Sequence, residues 1–376
     1  MSSWRECKLG EILELKYGKD HKALNDGNIP VFGSGGIMRY ADTFLYDDES
    51  ILIPRKGTLN NIFYINEPFW TVDTIFWSKI NKKEAFGKFL FYQLKTIDFA
   101  NLNVGSAVPS LTTKVLNEVD ISLPPLEEQK AIAEVLSSLD DKIDLLHRQN
   151  HTLESIAGTL FRQWFIEEAK EEWEIKFSDA PIQIIDGDRG NNYPKNSDFF
   201  TNEYCLFLSA RNVTKNGFDF VDCQFITKER DELLRKGKLS RYDVVLTTRG
   251  TVGNIAYYHE LIPFENIRIN SGMVILRADE TKISSLYLYI LMKSPLFTES
   301  VIEHTSGSAQ PQLPIRDLNN VSFILPPKNI YYKFMEQVKP IYSKVFSNQK
   351  QIQTLENLRD TLLPKLLSGE VRIKCL

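Results

Sequence analysis

Two stretches of the chain, GSAVPSLTTKVLNEVDISLPP at residues 105–125 and GSAQPQLPIRDLNNVSFILPP at residues 307–327, are copies of one pattern. Eleven of their 21 positions are identical at a constant offset of 202 residues. Upstream, Arg55-Lys-Gly-Thr58 resembles Thr248-Arg-Gly-Thr251 at an offset of 193. This period is longer than the roughly 20–50 residues of solenoid repeats. We therefore expect a duplicated unit, in which each copy is a globular segment followed by one long helix.

After each Leu-Pro-Pro, apolar residues recur at alternating spacings of four and three. This pattern predicts two long helices with a heptad seam, paired as an antiparallel coiled coil. Asn150 and Asn348 occupy seam positions, and Pro340 and Pro364 predict a kink or a cap in the second helix. The predicted seam residues are Leu136, Leu139, Ile143, Leu146, Leu153 and Leu160 in the first helix and Val338, Ile341, Val345, Ile352, Leu355 and Leu362 in the second.

The two helical segments carry opposite charge. Residues 126–172 contain 5 Lys/Arg and 11 Asp/Glu, a net charge of −6, whereas residues 328–376 contain 9 and 4, a net charge of +5. Opposite signs favour pairing of the two helices with each other, although charged helix faces that are simply solvated remain the alternative.

Between and before the helices, short runs of β-branched and aromatic residues alternate with turn-forming residues. The sequence therefore predicts an α/β (α+β) fold with a pseudo-two-fold internal repeat. Its segments are a β-rich domain at 1–125, a helix at 126–172, a second β-rich domain at 173–327 and a second helix at 328–376.

Composition excludes several classes of protein. With 376 residues, 43% hydrophobic and 25% charged, the chain is neither disordered nor collagen-like. No apolar run approaches the roughly 18 residues of a membrane span. The four cysteines lie far apart and no secretory signal is visible, which predicts reduced thiols in a cytoplasmic protein. A net charge of −4 means that any nucleic-acid binding must rest on local charge.

Several loops rich in Gly, Ser and Asn stand beside single basic residues, as in Phe32-Gly-Ser-Gly-Gly36 before Arg39. Small residues let the backbone approach a ligand, and Arg and Asn make bidentate hydrogen bonds to guanine and adenine edges. The densest basic cluster lies in residues 211–249, where acidic residues are interspersed. These loops are therefore candidates for DNA contact, with ordinary surface loops as the alternative.

Motifs for catalysis are missing. The sequence has no phosphate-binding G-x-x-x-x-G-K-[ST], and Phe32–Gly36 does not fit a dinucleotide-binding loop. His147 and His151 are one helical turn apart, but the second copy does not repeat them and they fall off the seam. We therefore expect no catalytic, cofactor-binding or metal-binding residues in this chain.

The order of these motifs resembles the specificity subunit of a type I restriction-modification system over essentially the whole chain. The resemblance rests on the duplication itself and on Ile29-Pro-Val-Phe-Gly-Ser-Gly-Gly36, Pro68-Phe-Trp70 with Asp73-Thr74, Leu123-Pro-Pro-Leu-Glu-Glu-Gln129 and Leu362-Leu-Pro-Lys-Leu-Leu-Ser-Gly-Glu370. One departure is Lys328-Asn329-Ile330, which replaces the Leu-Glu-Glu-Gln that opens the first helix.

The resemblance implies that each β-rich segment is a target recognition domain for one half of a bipartite, asymmetric sequence in double-stranded DNA. It implies that the helices dock two methyltransferase subunits, and that a translocating nuclease subunit can join them. S-adenosylmethionine, ATP and magnesium would bind to those partners. The DNA-contacting residues expected on this basis are Lys19, Lys22, Arg39, Arg55, Lys56, Asn60, Asn61 and Ser106 in the first domain and Arg189, Asn191, Arg211, Asn212, Arg249, Asn254 and Ser308 in the second.

Two other functions remain open from the sequence. The chain could be a coiled-coil scaffold without a role on DNA, in which case binding to DNA would be absent even with a methyltransferase present. It could also be a metal-dependent nuclease with an unrecognised site, which the purified chain would reveal by cleaving DNA alone.

Overall fold

The computed structural model describes residues 4–103, 105, 109–307 and 311–373. The chain forms two compact units. Unit 1 comprises residues 1–144 together with 354–376, and unit 2 comprises residues 145–353. The division falls inside the two long helices rather than at the ends predicted for the β-rich segments, because each helix packs with part of its length in each unit.

Unit 1 contains a four-stranded sheet, a three-stranded sheet and a two-stranded ribbon. Its elements are β1 (Arg5–Lys8), α1 (Leu9–Ile12), β2 (Leu13–Tyr17), β3 (Asp26–Gly33), β4 (Gly36–Ala41), β5 (Ser50–Pro54), β6 (Phe63–Ile65), β7 (Trp70–Thr71), β8 (Ile75–Ile80), α2 (Gly87–Lys95), α3 (Thr113–Asn117) and β9 (Asp120–Leu123). The strand orders are β2-β8-β5-β6, β4-β3-β7 and β1-β9. Only the β3–β7 pair is parallel among these pairings of the described strands.

The first long helix, α4 (Leu126–Arg162), follows unit 1's last strand. Unit 2 then contains β10 (Glu174–Lys176), β11 (Ile182–Asp186), β12 (Cys205–Leu208), β13 (Val213–Thr214), β14 (Gly217–Phe218), β15 (Phe225–Ile226), α5 (Lys228–Leu233), β16 (Val244–Thr247), β17 (Ile255–Tyr257), β18 (Ile267–Ile269), β19 (Met273–Ala278), α6 (Ser285–Lys293), α7 (Pro295–His304), α8 (Ile315–Leu318) and β20 (Ser322–Ile324). The second long helix is α9 (Lys328–Leu367).

Unit 2 repeats the sheet topology of unit 1. Its four-stranded sheet has the order β11-β19-β16-β17, and its three-stranded sheet has the order β15-β12-β18 with a parallel β12–β18 pair. A two-stranded ribbon, β10-β20, again precedes the long helix. The main difference is a longer connection between β12 and β15, which includes the small hairpin β13–β14.

A buried strand in unit 1 separates two apolar clusters. All five residues of β5 are buried. Ile51 and Ile53 face the cluster that includes α2 and the helices, whereas Leu52 faces Phe32 and Trp77 on the other side. This alternation follows from the two-residue period of a strand. In unit 2, β16 is likewise buried along its whole length.

A buried glutamine in the first turn of helix α4 holds the start of the helix. Gln129 accepts a hydrogen bond from the Phe86 backbone N–H (2.8 Å) and donates to the carbonyls of Glu84 (3.0 Å) and Pro124 (2.8 Å). The side chain is only 1% exposed, so one amide satisfies backbone groups on both sides of the helix start. This role explains why the Leu-Glu-Glu-Gln motif stands directly after Leu-Pro-Pro.

Within unit 1, the start of α4 packs against the end of α9. Arg359 Nη1 donates to Asp140 Oδ1 at 2.9 Å, and Tyr92 of α2 donates to the other oxygen of the same carboxylate at 2.7 Å. Closer to the start of α4, Glu128 forms an ion pair with Arg372, which lies just beyond the end of α9. Residue numbers rise along one helix as they fall along the other, so the two helices are antiparallel.

Within unit 2, the end of α4 packs against the start of α9. Asn348 Nδ2 donates to Asn150 Oδ1 at 2.9 Å, and Phe165 packs edge-to-face on Phe334 at 4.7 Å between ring centroids. The two asparagines differ by one seam step in the sequence repeat, and antiparallel packing brings them into contact. All twelve predicted seam residues are buried or half-buried.

The helices depart from expectation at their ends and at the prolines. The α-helical part of α4 ends at Arg162, followed by a π-helical turn over Gln163–Glu167, because Phe165 turns into the unit 2 core. Helix α9 ends at Leu367, where Gly369 adopts a left-handed φ of +73°.

Of the kink or cap predicted at the prolines of the second helix, the cap was wrong. Helix α9 continues without interruption through Pro340 and Pro364. Around Pro340, Val338 and Tyr342 are both buried, and Tyr342 packs on Tyr289 of α6. Packing on both sides of the proline thus holds the helix where one backbone hydrogen bond is lost.

Candidate nucleic-acid interface

In unit 1, the loop after β5 is held in place by its backbone. The N–H groups of Arg55 and Lys56 both donate to the carbonyl of Thr74, at 2.8 and 3.2 Å. Leu111 N–H donates to the Arg55 carbonyl at 2.9 Å. Gly57 follows with a φ of +88°, a conformation that favours glycine. The loop therefore makes a sharp turn with its backbone anchored on two sides.

The loop after β16 in unit 2 is built the same way. The N–H groups of Thr248 and Arg249 both donate to the carbonyl of Gly272, at 2.8 and 3.1 Å. Leu313 N–H donates to the Thr248 carbonyl at 3.0 Å, and Gly250 has a φ of +75°. The structural correspondence matches the offsets of 193 and 202 residues in the sequence.

Lys56 and Arg249 are therefore equivalent residues of the two units. Each forms an isolated β-bridge, Lys56 with Ser110 and Arg249 with Gln312, to the segment that follows the duplicated Gly-Ser-Ala motif. Both residues are exposed. Each unit thus presents one cation from a turn whose backbone is fixed by the same pattern of hydrogen bonds.

An arginine side chain also braces each turn, but the arginine stands at a different place in the sequence of each unit. Arg55 Nη1 donates to the Asp73 carbonyl at 2.8 Å, and its guanidinium lies 5.5 Å from the centroid of Tyr17. Unit 2 has threonine at the position of Arg55. There, Arg189 Nη2 donates to the Ser271 carbonyl at 3.2 Å and to Asp186 at 3.2 Å.

Asp73 and Ser271 each precede the residue whose carbonyl anchors the turn, so Arg55 and Arg189 bond to corresponding backbone atoms. The sequence repeat does not reveal that Arg189 takes the role of Arg55, because the two arginines lie in loops that do not correspond in the repeat. The Tyr17 contact of Arg55 was also missed, since nothing in the strand pattern distinguishes that tyrosine.

The predicted asparagines serve mainly to hold loops. Asn61 Nδ2 donates to the Ser34 carbonyl at 3.0 Å, and the equivalent Asn254 Nδ2 donates to the Val213 carbonyl at 2.9 Å. Their amide donors thus fasten the segment that follows β3 or β12. Both asparagines are half-buried at this position.

Two other asparagines that were predicted to contact DNA form hydrogen bonds within the protein, one of them exposed and one buried. Asn60 donates to Asp98 at 2.9 Å and accepts from the Ala100 N–H at 3.1 Å. Asn212 is 6% exposed and bonds to Ser209 and to the carbonyl of Asp219. The buried Asn212 amide is therefore not available to a base edge, whereas the contact predicted for the exposed Asn60 stays a prediction.

Arg39 is also engaged within unit 1. It lies on β4, opposite Val31, and its Nη2 donates to Asp26 at 2.6 Å and to the Leu24 carbonyl at 3.3 Å. The Asp26 side chain is almost fully exposed, so this ion pair lies at the surface. A DNA phosphate would have to compete with the carboxylate for Arg39.

A cleft of about 680 Å³ lies beside the anchored turn of unit 1. Its lining residues are Asp20, His21, Lys22, Gly33, Ser34, Gly35, Met38, Val72, Asp73 and Thr74. Lys19 and Lys22 are exposed on the loop that forms one wall. The Lys19 N–H donates to the Thr71 carbonyl at 2.8 Å, which fixes the loop while leaving the lysine side chain outside.

The basic cluster at 211–249 is less available than its composition suggests. Arg230 pairs with Asp198 at 2.8 Å, and Arg241 donates to the carbonyls of His259 and Ile262 at 3.1 and 2.9 Å. Lys238 and the buried Arg268, which the sequence did not single out, share Asp231. The exposed cations of this segment are Arg211, Lys215, Lys228, Arg235, Lys236, Lys238 and Arg249. Arg189 and Asn191 are exposed on a neighbouring loop of unit 2.

That neighbouring loop is fixed by a buried carboxylate. Asp188 accepts hydrogen bonds from the backbone N–H groups of Gly190, Arg235 and Lys236 at 2.6, 2.7 and 3.3 Å. Burial acts to raise the pKa of Asp188, but the N–H donors hold that pKa below its usual range. An ionised Asp188 therefore joins the loop of Arg189 to the segment of Arg235.

Ser106 and Ser308, predicted as backbone contacts to DNA, lie outside the described residues. Within residues 4–103, 105, 109–307 and 311–373, no group of three or more His, Cys, Asp or Glu is arranged to hold a metal ion. None of the helices in that part of the chain is long and apolar enough to cross a membrane.

The known proteins that this chain is similar to belong to one family. The family described as "Type I restriction modification DNA specificity domain" matches residues 1–155 and again residues 173–358. The MjaIX type I restriction enzyme specificity subunit of Methanocaldococcus jannaschii is 28% identical over 354 residues, covering 88% of this chain and 79% of the relative. The EcoBI specificity subunit of Escherichia coli is 22% identical over 377 residues, covering 92% and 78%.

The fold is also similar to a solved structure. The crystal structure of a type I restriction-modification S subunit from M. genitalium superposes with a TM-score of 0.62 at 19% identity. The match covers 97% of this chain and 96% of that one. At this identity, the likeness establishes the shared fold.

Proposed function

This chain belongs to the family of type I restriction-modification DNA specificity domains, and we propose that its two units each read one half of a bipartite, asymmetric DNA site. In each unit, the reading surface is the anchored turn with its exposed cation, Lys56 or Arg249, and the loops around it. These include Lys19, Lys22 and the Phe32–Gly36 turn in unit 1, and Arg189, Asn191 and Arg211 in unit 2. The predicted domain boundaries at 125, 172 and 327 remain part of this proposal.

The observation that carries the proposal is the duplicated turn. In each turn, two backbone N–H groups donate to a single carbonyl, that of Thr74 in unit 1 and that of Gly272 in unit 2. Each turn also presents a cation at the equivalent position, Lys56 or Arg249. A fixed backbone lowers the entropy lost when a side chain binds a base edge or a phosphate. Two such turns with different neighbours support recognition of two different half-sites, which is what an asymmetric target requires.

We propose that other subunits carry out the methyl transfer and the DNA cleavage of the system. We infer that the paired helices α4 and α9 dock two methyltransferase subunits, and that a translocating nuclease subunit joins the assembly. S-adenosylmethionine, ATP and magnesium would bind to those partners, because the present chain offers no motif for them. The partners would also add phosphate contacts, which agrees with a net charge of −4 on this chain. The cytoplasmic location expected from the sequence remains a prediction.

Adenine-methylation mapping tests the proposal. DNA would be compared from cells that express this chain with its methyltransferase and from cells that express the methyltransferase alone. We expect a split motif, with two specified halves separated by a fixed gap, that disappears when this chain is absent. An unchanged methylation pattern, with both proteins soluble and associated, would contradict the proposal and favour a scaffold without a DNA role. DNA cleavage by the purified chain with magnesium would instead support a nuclease.

A further inference from the structure

The tip of the β3–β4 hairpin in unit 1 exposes two large apolar side chains. Gly33 pairs with Gly36 across the turn, and Ile37 and Met38 follow directly on β4. Their exposed fractions are 51% and 58%. As successive residues of a strand they point to opposite faces of the hairpin, so the tip is apolar on both faces. Large apolar side chains exposed at one tip commonly mark a binding surface.

Charged side chains of both signs surround this pair, and Asp20 and Asp73 line the same cleft as Lys22. Met38 folds across Gly33, where a Cβ would lie 2.6 Å from its sulfur, and so lines the cleft that Lys22 also lines. Gly57, next to Lys56, lies against the tip, because a Cβ there would be 3.1 Å from Ser34 Oγ. Cations on two neighbouring loops fit a polyanion better than an apolar protein surface.

The corresponding place in unit 2 has different chemistry. Between the equivalent strands β12 and β15, unit 2 has residues 209–224 in place of the short turn. This connection exposes Arg211 and Lys215 together with Val221. The two units therefore present different side chains beside the same anchored turn, as two unlike half-sites require.

We propose that Ile37 and Met38 contact the C5-methyl group of a thymine in the half-site read by unit 1, an inference that rests on the proposed function. The DNA major groove admits a two-stranded ribbon, and the thymine methyl is the apolar group that base pairs present there. The turn is narrow, since Ser34 and Gly35 alone join β3 to β4. A Cβ at Gly35 or Gly36 would meet no atom within 4 Å. The space around the tip is therefore open to an approaching DNA base.

The test uses the complex of the full chain with its methyltransferase and a duplex that carries the mapped site. Each thymine of the site is replaced in turn by deoxyuridine, which removes only the methyl group. For the wild-type chain, we expect one replacement to weaken binding about fourfold, the value for one buried methyl group. In the double variant Ile37→Ser/Met38→Ser, the same replacement should have no effect.

Phe44→Ser is the matched control, because Phe44 is 49% exposed but lies beyond the far end of β4. It should keep the fourfold sensitivity of the wild-type chain. Equal binding of all the deoxyuridine duplexes by the wild-type chain would overturn the inference, as would sensitivity that persists in the double variant.

If Ile37 and Met38 instead inserted between stacked base pairs, the binding affinities would show a third pattern. This result would also overturn the inference. The double variant would then bind more weakly, but by the same factor on thymine and deoxyuridine duplexes. Failure of the proposed function is distinguishable from all of these results, because no methylation motif would depend on the chain at all.

Discussion

At the scale of single residues, the structure separates side chains that hold loops from side chains that are available to a ligand. Asn60 and Asn212 have both ends of their amides bonded within the protein. By contrast, Lys56 and Arg249 are exposed on turns whose backbone is anchored by hydrogen bonds. Because residue type is the same for loop-holding and base-reading asparagines, the sequence could not separate these roles.

Replacement of Asn212 by alanine should reduce stability without altering which bases are read. Asn212 bonds to the Ser209 N–H and to the carbonyl of Asp219, so its loss leaves buried polar groups unpaired. We expect a loss of about 1–3 kcal/mol in the free energy of unfolding. Urea unfolding measures this loss, with the exposed Asn191→Ala as control within about 0.5 kcal/mol of wild type. A stable Asn212→Ala variant with a relaxed motif would contradict the assignment.

His259 should make unit 2 less stable in mild acid. The ring is 4% exposed and stacks on Phe346 at 4.2 Å between centroids. Burial lowers the pKa of His259 to about 4, from an ordinary value near 6.5. Because the unfolded chain binds the proton more tightly, this contribution to stability is complete above about pH 6.5 and is lost as the pH falls towards 4.

The size of this effect is about 3 kcal/mol between the two pH values. Urea unfolding of the wild-type chain and of His259→Phe, measured at several values from pH 7.5 to 4, provides the comparison. The phenylalanine keeps a ring against Phe346 but cannot titrate. We expect the wild-type chain to lose more stability than the variant over this range, and equal losses would show that His259 does not carry the effect.

At the scale of elements, the two long helices were the most predictable part of the fold. A seven-residue repeat depends only on the spacing of apolar residues along one helix, which a sequence displays directly. The ends were less predictable, because Phe165 and Trp173 turn into the unit 2 core and tertiary packing decides where α4 stops. The passage of α9 through Pro340 has the same origin, since flanking residues are buried on both sides.

The asparagine pair offers a test of how the helices select their alignment. In unit 2, Asn348 is fully buried and donates to Asn150 at 2.9 Å. The single variant Asn150→Leu should lower the free energy of unfolding by about 1–3 kcal/mol, because the buried Asn348 amide then keeps only a 3.5 Å contact with Gln149 Oε1. The double variant Asn150→Leu/Asn348→Leu should be more stable than either single variant.

A double-mutant cycle by urea unfolding measures this coupling. The two asparagines should show an interaction energy well above the roughly 0.5 kcal/mol of independent sites. Leu145→Ala, on an exposed position of the same helix, serves as a control that should not couple with Asn348. Strict additivity of the asparagine changes would contradict a shared polar layer.

At the scale of the whole molecule, duplication explains both the fold and the site. The sheet orders of the two units correspond strand by strand, and each unit carries an anchored turn next to a three-stranded sheet. The repeat in the sequence made this plan predictable. The exchange of Arg55 for Arg189 was not predictable, because the two side chains meet corresponding carbonyls from different loops.

The differences between the units lie where a specificity subunit needs them. The sheets of the two units are repeated, whereas the connection between β3 and β4 is short and the one between β12 and β15 is long. A common frame with variable connections lets each unit recognise its own half-site. Changes at the turn of one unit should therefore affect one half of the target only.

Methylation mapping of two single variants tests this claim most directly. Cells would express the methyltransferase with the wild-type chain, with Lys56→Ala or with Arg249→Ala, and the methylated motif of each would be determined. We predict that each variant relaxes or weakens one half of the split motif, and that the two variants affect opposite halves. A loss in the same half for both variants, or an unchanged motif at unchanged occupancy for both, would contradict the account.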